Sequence, residues 1–202
     1  MLRLLAAIAA GSLVCVTALP GQSQAQAQTP RSVQATVVVS PEPLSLDDPR
    51  PRVFLGGSIG MGTAPDWQAK LNGGLSDMDV VILNPRRPDW NPAWKPQASE
   101  PEFRRQVEWE LAALEASDVI VMYFTPGTQS PISLLEMGLH ARSGKLIVLA
   151  PDGFWRKGNV DITAEVYGVR QVSDLDELLA TTRTALTEVA TKKARQDQPD
   201  AP

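Results

Sequence analysis

Residues 118–124 read Asp-Val-Ile-Val-Met-Tyr-Phe. An unbroken apolar run behind a single Asp predicts a short strand buried on both faces. The same pattern recurs outward from it. Residues 145–150 (Lys-Leu-Ile-Val-Leu-Ala) and 79–83 (Asp-Val-Val-Ile-Leu) are of this kind. Residues 52–55 (Arg-Val-Phe-Leu) form a shorter version that runs into Gly56-Gly57-Ser58, and a further short strand is expected near 166–169. Helical stretches separate these runs. Pro65–Leu75 opens on Pro and closes on Gly73-Gly74. Pro101–Ala116 spaces Phe103, Val107, Leu111 and Leu114 for one helix face. Ser130 is expected to cap the next helix, with Pro131 at its first position and Gly144 as its stop. A final helix is expected from Asp174 to about Lys193, capped by Ser173. Buried strands alternating with helices predict an α/β fold, a parallel sheet covered on both faces in a three-layer sandwich. The expected form is a five-stranded, doubly wound sheet of flavodoxin-like strand order. Such sheets bind ligands beyond the carboxyl ends of their strands, where the strand order reverses. That rule selects the loops after Leu55, Leu83, Phe124 and Ala150.

Outside this core the chain is simpler. Its 202 residues suit one domain plus tails. Met1-Leu2-Arg3, an apolar stretch from Leu4 to Leu19 and an Ala25-Gln26-Ala27 site predict a signal peptide over residues 1–27. The expected product is exported, periplasmic or secreted. The apolar stretch is shorter than the roughly 20 residues of a membrane span, so no membrane contact is expected after cleavage. Residues 28–51 are rich in Pro, Ser, Gln and Asp and are read as a flexible linker, with Ala35–Val39 at most a weak edge strand. The domain is assigned to residues 52–193 and a disordered tail to 194–202. Cys15 is the only cysteine and lies within the signal. Disulfides, a thiol nucleophile and a Cys-based zinc site are therefore not expected in the mature chain. With His140 as the only histidine, no metal site is expected, and no cofactor is indicated. A net charge of −4 argues against a nucleic-acid polymer as partner.

Four segments carry the candidate chemistry. Gly56-Gly57-Ser58-Ile59-Gly60-Met61-Gly62 suits either a tight strand-to-helix turn or a close backbone approach to a ligand. Asn84-Pro85-Arg86-Arg87 begins a long Pro/Trp loop whose arginines suit a phosphate, a carboxylate or a base. Gln106 and Glu110 stand four apart and share a helix face. Glu136 lies between Leu134-Leu135 and Met137-Gly138-Leu139, within about two turns of a helix N-terminus aimed at the expected crevice. The helix dipole favours its ionised form and burial opposes it. A poorly hydrated carboxylate at a crevice is what nucleophilic attack at an anomeric carbon needs. His140, one turn further on, suits a structural role better than a role in tuning Glu136.

Four motifs, taken in order, resemble the nucleoside 2-deoxyribosyltransferase-like family. They are Gly56-Gly57-Ser58-Ile59, Asn84-Pro85-Arg86-Arg87, Gln106-Val107-Glu108-Trp109-Glu110 and Ser130-Pro131-Ile132-Ser133-Leu134-Leu135-Glu136-Met137-Gly138. The resemblance runs from about Arg52 to Val169 and is most specific in the last motif. It implies a homo-oligomer acting on a small nucleoside or nucleotide, with Glu136 as nucleophile. It also implies substrate contacts from Gly57, Ser58, Ile59, Asn84, Arg86, Arg87, Gln106, Glu110 and Ser130. The family's transferases carry an Asp six residues before the nucleophile, where this chain has Ser130, so base handling is left open. Asp66, Asp89 and Glu110 are the candidate general acids. The expected activity is cleavage or transfer of an N-glycosidic bond. The alternatives are a non-catalytic nucleotide- or nucleobase-binding module and an NAD or nucleotide-sugar glycohydrolase.

Overall fold

A computed structural model describes residues 33–59 and 65–196. The expected signal peptide, residues 1–27, lies outside the described residues. Among the described residues six strands form one parallel sheet: β1 (Thr36–Val39), β2 (Arg52–Gly57), β3 (Val81–Asn84), β4 (Val119–Tyr123), β5 (Leu146–Leu149) and β6 (Arg170–Val172). Five helices accompany them: α1 (Trp67–Leu75), α2 (Pro101–Ala116), α3 (Pro131–His140), α4 (Lys157–Tyr167) and α5 (Leu175–Gln196). The spatial order is β1-β3-β2-β4-β5-β6. Without β1 this is the expected doubly wound, flavodoxin-like order. The switch point falls between β2 and β4, where Gly57 pairs with Tyr123.

Two clusters form the outer layers of the core. Phe54, Ile120, Met122 and Phe124 meet Trp109 and Ala113 of α2, Met137 of α3, and Val160 and Ala164 of α4. On the opposite face Val53, Leu55, Val121 and Ile147 meet Trp67 and Leu71 of α1, and Leu178 and Leu186 of α5. Adjacent strand residues divide between the two clusters, as the twofold side-chain alternation of a strand requires.

Three features depart from the sequence expectations. The sheet has six strands, not five, because β1 pairs parallel with β3 from Thr36↔Val81 to Val39↔Asn84. This edge strand lies in the stretch read as linker, at the place where Ala35–Val39 reads as a weak edge strand. Its outer residues are exposed, which muted its pattern. Second, the strand expected near 166–169 falls on the last two residues of α4 and the turn after it, and β6 follows at Arg170–Val172. The β-branched residues Val160, Ile162, Thr163 and Val166 give the helix the look of a strand. Third, Asp174 caps α5 in place of Ser173. Its Oδ1 accepts from the amides of Asp176 and Glu177, while Ser173 donates back to the Glu177 carboxylate.

Gly57 is essential to the switch point. Its φ is +137°, and a Cβ there would lie 2.3 Å from the Tyr123 carbonyl oxygen. Gly57→Ala is therefore expected to cost about 1–3 kcal/mol or more. Thermal unfolding followed by circular dichroism measures it, and an unchanged Tm would show that the end of β2 does not pack against β4 this closely.

Candidate functional site

The site is built where β2, β3 and β4 end. Ser58 follows β2 directly, and its amide donates to Tyr123 O at 2.9 Å, continuing the ladder past the last paired residue. The Ser58 hydroxyl accepts from the Thr125 amide at 2.9 Å and meets Thr128 Oγ1 at 2.8 Å. A short hydrogen bond also joins it to Ser130 Oγ. Thr128 and Ser130 close the triangle at 3.0 Å. Three hydroxyls thus converge at the N-terminus of α3. Ser130 stands at the N-cap position, but its side chain makes no cap bond and its φ is +46°. The expected capping role is not the one it takes. The left-handed turn swings its hydroxyl away from the helix amides and toward Ser58. Such a backbone is uncommon for a residue other than Gly, Asn or Asp. Thr128 was not singled out in the sequence, although its place two residues before Ser130 was a usable signal.

Glu136 lies in the middle of α3, only 7% exposed. Burial pushes its carboxyl up to about 8, and the Glu110 carboxylate adds to that rise. Glu110 is itself raised by burial and lowered in part by Gln106. Both acids are thus poorly hydrated, and the Glu110 carboxylate on α2 acts on Glu136 on α3. Gln106 is fixed by its partners. Its Nε2 donates to Pro85 O at 3.0 Å and to Glu110 Oε1 at 2.9 Å. Its Oε1 accepts from the Ser40 hydroxyl at 2.6 Å. A peptide carbonyl can only accept, so Pro85 sets which way the amide lies. Ser40 went unnoticed in the sequence; it stands 66 residues from Gln106 in the presumed linker.

The Asn-Pro-Arg-Arg motif divides in two. Asn84 ends β3, and its Oδ1 accepts from the Arg86 amide at 3.0 Å. Arg86 reaches Gln68 Oε1 at 3.3 Å and Asp66 at 3.7 Å, beside the start of α1. Arg87 instead turns into its own loop. It is paired to Asp89 at 2.8 Å and to Glu102 at 3.5 Å, and stacks 4.8 Å over Trp94. Its surroundings hold the long loop together. Trp109 is buried in the core, and its Nε1 donates to Glu42 O at 2.7 Å. Ile59 is exposed at the edge of the described turn. His140 is lowered by burial and feels Glu115 and Lys145, so it belongs to the far end of α3. Among the described residues no cluster of three or more acidic, His or Cys side chains is arranged to hold a metal ion.

A cavity of about 340 Å³ lies between α3 and α4, lined by Leu134, Met137 and Gly138 on one side and by Trp155, Asn159 and Thr163 on the other. It is separate from the Glu110–Glu136 space.

The hydroxyl cluster stands where the strand order of this α/β sheet reverses, the place where such sheets bind ligands. The model of the nucleoside 2-deoxyribosyltransferase-like family matches residues 50–154, and the chain belongs to that family. The match takes in β2 through β5 and ends before α4. A crystal structure of a conserved protein from Enterococcus faecalis V583 is similar, at 13% identity and a TM-score of 0.48, over 69% of this chain and 98% of that one. No curated protein matches.

The raised Glu136 carboxyl has a consequence for stability. The folded state keeps its proton from about pH 4.5 up to about 8, whereas an unfolded Glu has lost it. Stability therefore falls as pH rises through that window. Glu136→Gln removes the effect. The variant is expected to exceed wild type in unfolding free energy at pH 8.5, by a margin on the order of a few kcal/mol at about 1.4 kcal/mol per unit, read by denaturant unfolding. At pH 5 the margin is expected to shrink toward zero. A margin equal at both pH values would show that Glu136 is not held neutral.

Proposed function

We propose that this chain cleaves or transfers the N-glycosidic bond of a nucleoside or nucleotide, with Glu136 as nucleophile and Glu110 as its proton partner. The observation that carries this reading is the pair itself. Glu136 is raised by burial and by the Glu110 carboxylate, and Glu110 is raised by burial, so charging both is costly and the reading gives them about one proton between them near neutral pH. That proton is what a departing base requires. In the reactive arrangement Glu110 holds it and Glu136 is ionised. The Glu136 carboxylate attacks C1′, the C1′–N bond breaks, and the bonding pair leaves on the base nitrogen. The Glu110 proton goes to that nitrogen. A glycosyl ester on Glu136 remains, and a second base or water resolves it with Glu110 as base, so configuration is retained. Poor hydration strengthens the attraction between Glu136 and the positive charge that develops at C1′.

Other groups support recognition. The Ser58, Thr128 and Ser130 hydroxyls stand beside the amino end of α3, where the helix dipole favours a sugar hydroxyl or a phosphate oxygen. Arg86, on the other side of the switch point, adds positive charge. The reading takes residues 1–27 as an export signal, as the sequence leads one to expect, and outside the cytoplasm acceptor bases are scarce, which favours hydrolysis over transfer.

A second reading, a binding module without turnover, is favoured by Ser130. A neutral hydroxyl stands there, tied to Ser58 and Thr128, where the family's transferases have an acid.

Free base released from deoxynucleosides, nucleoside monophosphates and NAD, with and without an acceptor base, tests the proposal. Wild type is expected to release base, with kcat/KM falling as pH rises through about 8, where the pair gives up the proton that the leaving base requires. Glu136→Ala is expected to fall to background. Glu110→Gln is expected to lose about 10²–10⁴ in kcat. Release by Glu136→Ala at the wild-type rate rules the mechanism out. Saturable binding without release establishes the binding module instead.

A further inference from the structure

Two side chains of α2 are held from outside the family match, by the segment that leads from β1 to β2. Trp109 Nε1 donates to Glu42 O at 2.7 Å, and Gln106 Oε1 accepts from the Ser40 hydroxyl at 2.6 Å. Ser40 is placed for this contact by the sheet. Its amide donates to Asn84 O at 3.0 Å, one step past the last β1–β3 pair, and the Glu42 amide donates back to Val39 O at 2.8 Å. Ser40 is 2% exposed and Gln106 6%, so neither side chain has bulk water as an alternative partner.

The chain of hydrogen bonds ends on a carboxyl. Gln106 Nε2 donates to Pro85 O at 3.0 Å and to Glu110 Oε1 at 2.9 Å. A side-chain amide can turn over about its last bond, exchanging oxygen for nitrogen with almost no change of shape. Turned over, Gln106 would set its oxygen against Pro85 O, which only accepts. It would also set it against Glu110, which could donate only if protonated. The orientation in the structure is therefore the one that suits an ionised Glu110. The Ser40 proton satisfies the oxygen at the other end of the same amide.

We propose that Ser40 is a positioning residue for Glu110, acting through Gln106. With the hydroxyl present, the Gln106 oxygen is satisfied and its NH₂ group is held toward Glu110. An amide whose oxygen accepts a hydrogen bond also donates more strongly from its nitrogen, because bonds in a chain polarise one another. Burial raises the Glu110 carboxyl and the Gln106 hydrogen bond opposes that rise, so Ser40 supports the opposing side. Without the hydroxyl, Gln106 has two choices. Kept as it is, its buried oxygen goes unmet and its donation weakens. Turned over, its oxygen needs a proton on Glu110. In both cases Glu110 holds its proton more tightly. The titratable group that acts across this pair from α3 is Glu136, and the contacts from Pro85 O and Ser40 add no charge.

The consequence for catalysis rests on the reading above, in which Glu110 gives its proton to the leaving base. A residue that sets the proton affinity of the acid sets how readily that transfer occurs. The hydrogen-bond chain itself does not depend on that reading.

Carbon-13 NMR of the glutamate carboxyl carbons across pH tests it. The full chain carries Glu136→Gln, so that Glu110 titrates without its coupled partner, and Glu110→Gln identifies the signal. Adding Ser40→Ala is expected to tighten proton binding at Glu110 about three- to tenfold, the effect of one hydrogen bond, so that the group titrates at higher pH. Ser40→Thr, which keeps the hydroxyl, is expected to titrate as its parent does. Leu44→Ala is the control, since Leu44 belongs to the same segment and packs against the core through apolar contact. It is expected to lower stability and leave the Glu110 titration in place. Should Ser40→Ala fail to fold, Ser40→Cys, whose thiol fills the site and donates weakly, replaces it with a smaller shift in the same direction. A Glu110 titration unmoved by loss of the hydroxyl overturns the proposal. So does a shift that Ser40→Thr or Leu44→Ala reproduces in full. Base release plays no part in this readout: a chain that releases no base sinks the reading of Glu136 as nucleophile, and the titration still decides the role of Ser40.

Discussion

A carboxyl group held out of water in the middle of α3 is the constraint around which this protein is arranged. Keeping Glu136 at 7% exposure raises its affinity for a proton well above that of a solvated Glu. The cost falls on folding, because the unfolded chain ionises the same group freely. Structures keep such groups where the perturbed state has a use. Here the second carboxyl supplies a reason for it. Glu110 is also poorly hydrated, and its charge adds to the rise at Glu136. In the proposed reaction that coupling keeps a proton at hand for a displacement in two steps.

The helix that carries Glu136 serves three neighbours at once. Met137 and Ala141 pack into the core against the sheet. Glu136 faces α2. Ile132, Leu135 and Leu139 face outward. This explains why Pro131–His140 is apolar on nearly every side, a composition that would mark a fully buried helix if read alone. Its start is equally specialised. An N-cap hydroxyl would normally hold the first free amides. Ser130 gives up that contact, adopts a left-handed backbone and joins Ser58 and Thr128. The first helical amides are left without a cap from that side chain.

Much of this was legible in the sequence because its signals are local. The continuous apolar runs that became β3, β4 and β5 are buried on both faces, so no alternation was needed to find them. The turn at Gly57 and the acidic residue in an apolar helix were equally plain. What was missed depends on distant partners. β1 is an edge strand with exposed residues, and only its pairing with β3 makes it a strand. α4 is rich in β-branched residues, and its helical form is set by packing Val160 and Ala164 on the sheet. The roles of the two arginines could not be separated, since Asp89 and Glu102 claim Arg87 through contacts that spacing does not encode.

The N-terminal addition to the sheet also acts on the site. The family match begins at residue 50, and the segment before it makes two contacts with α2. Glu42 O receives the Trp109 indole, and Ser40 donates to Gln106. Both acceptors of the Gln106 NH₂ group, Pro85 O and Glu110, can be satisfied with the Gln106 carbonyl pointing only one way. That leaves the carbonyl oxygen inside the protein, where an unmet acceptor costs about 1–3 kcal/mol. The Ser40 hydroxyl meets it. Ser40 is itself held by its amide, which donates to Asn84 O at the end of β3. A strand that looks like a peripheral extension therefore completes the hydrogen bonding behind one of the two carboxyls. Its burial at Ser40, otherwise unexpected for a linker serine, follows from the electrostatics of the crevice on the other side of Gln106.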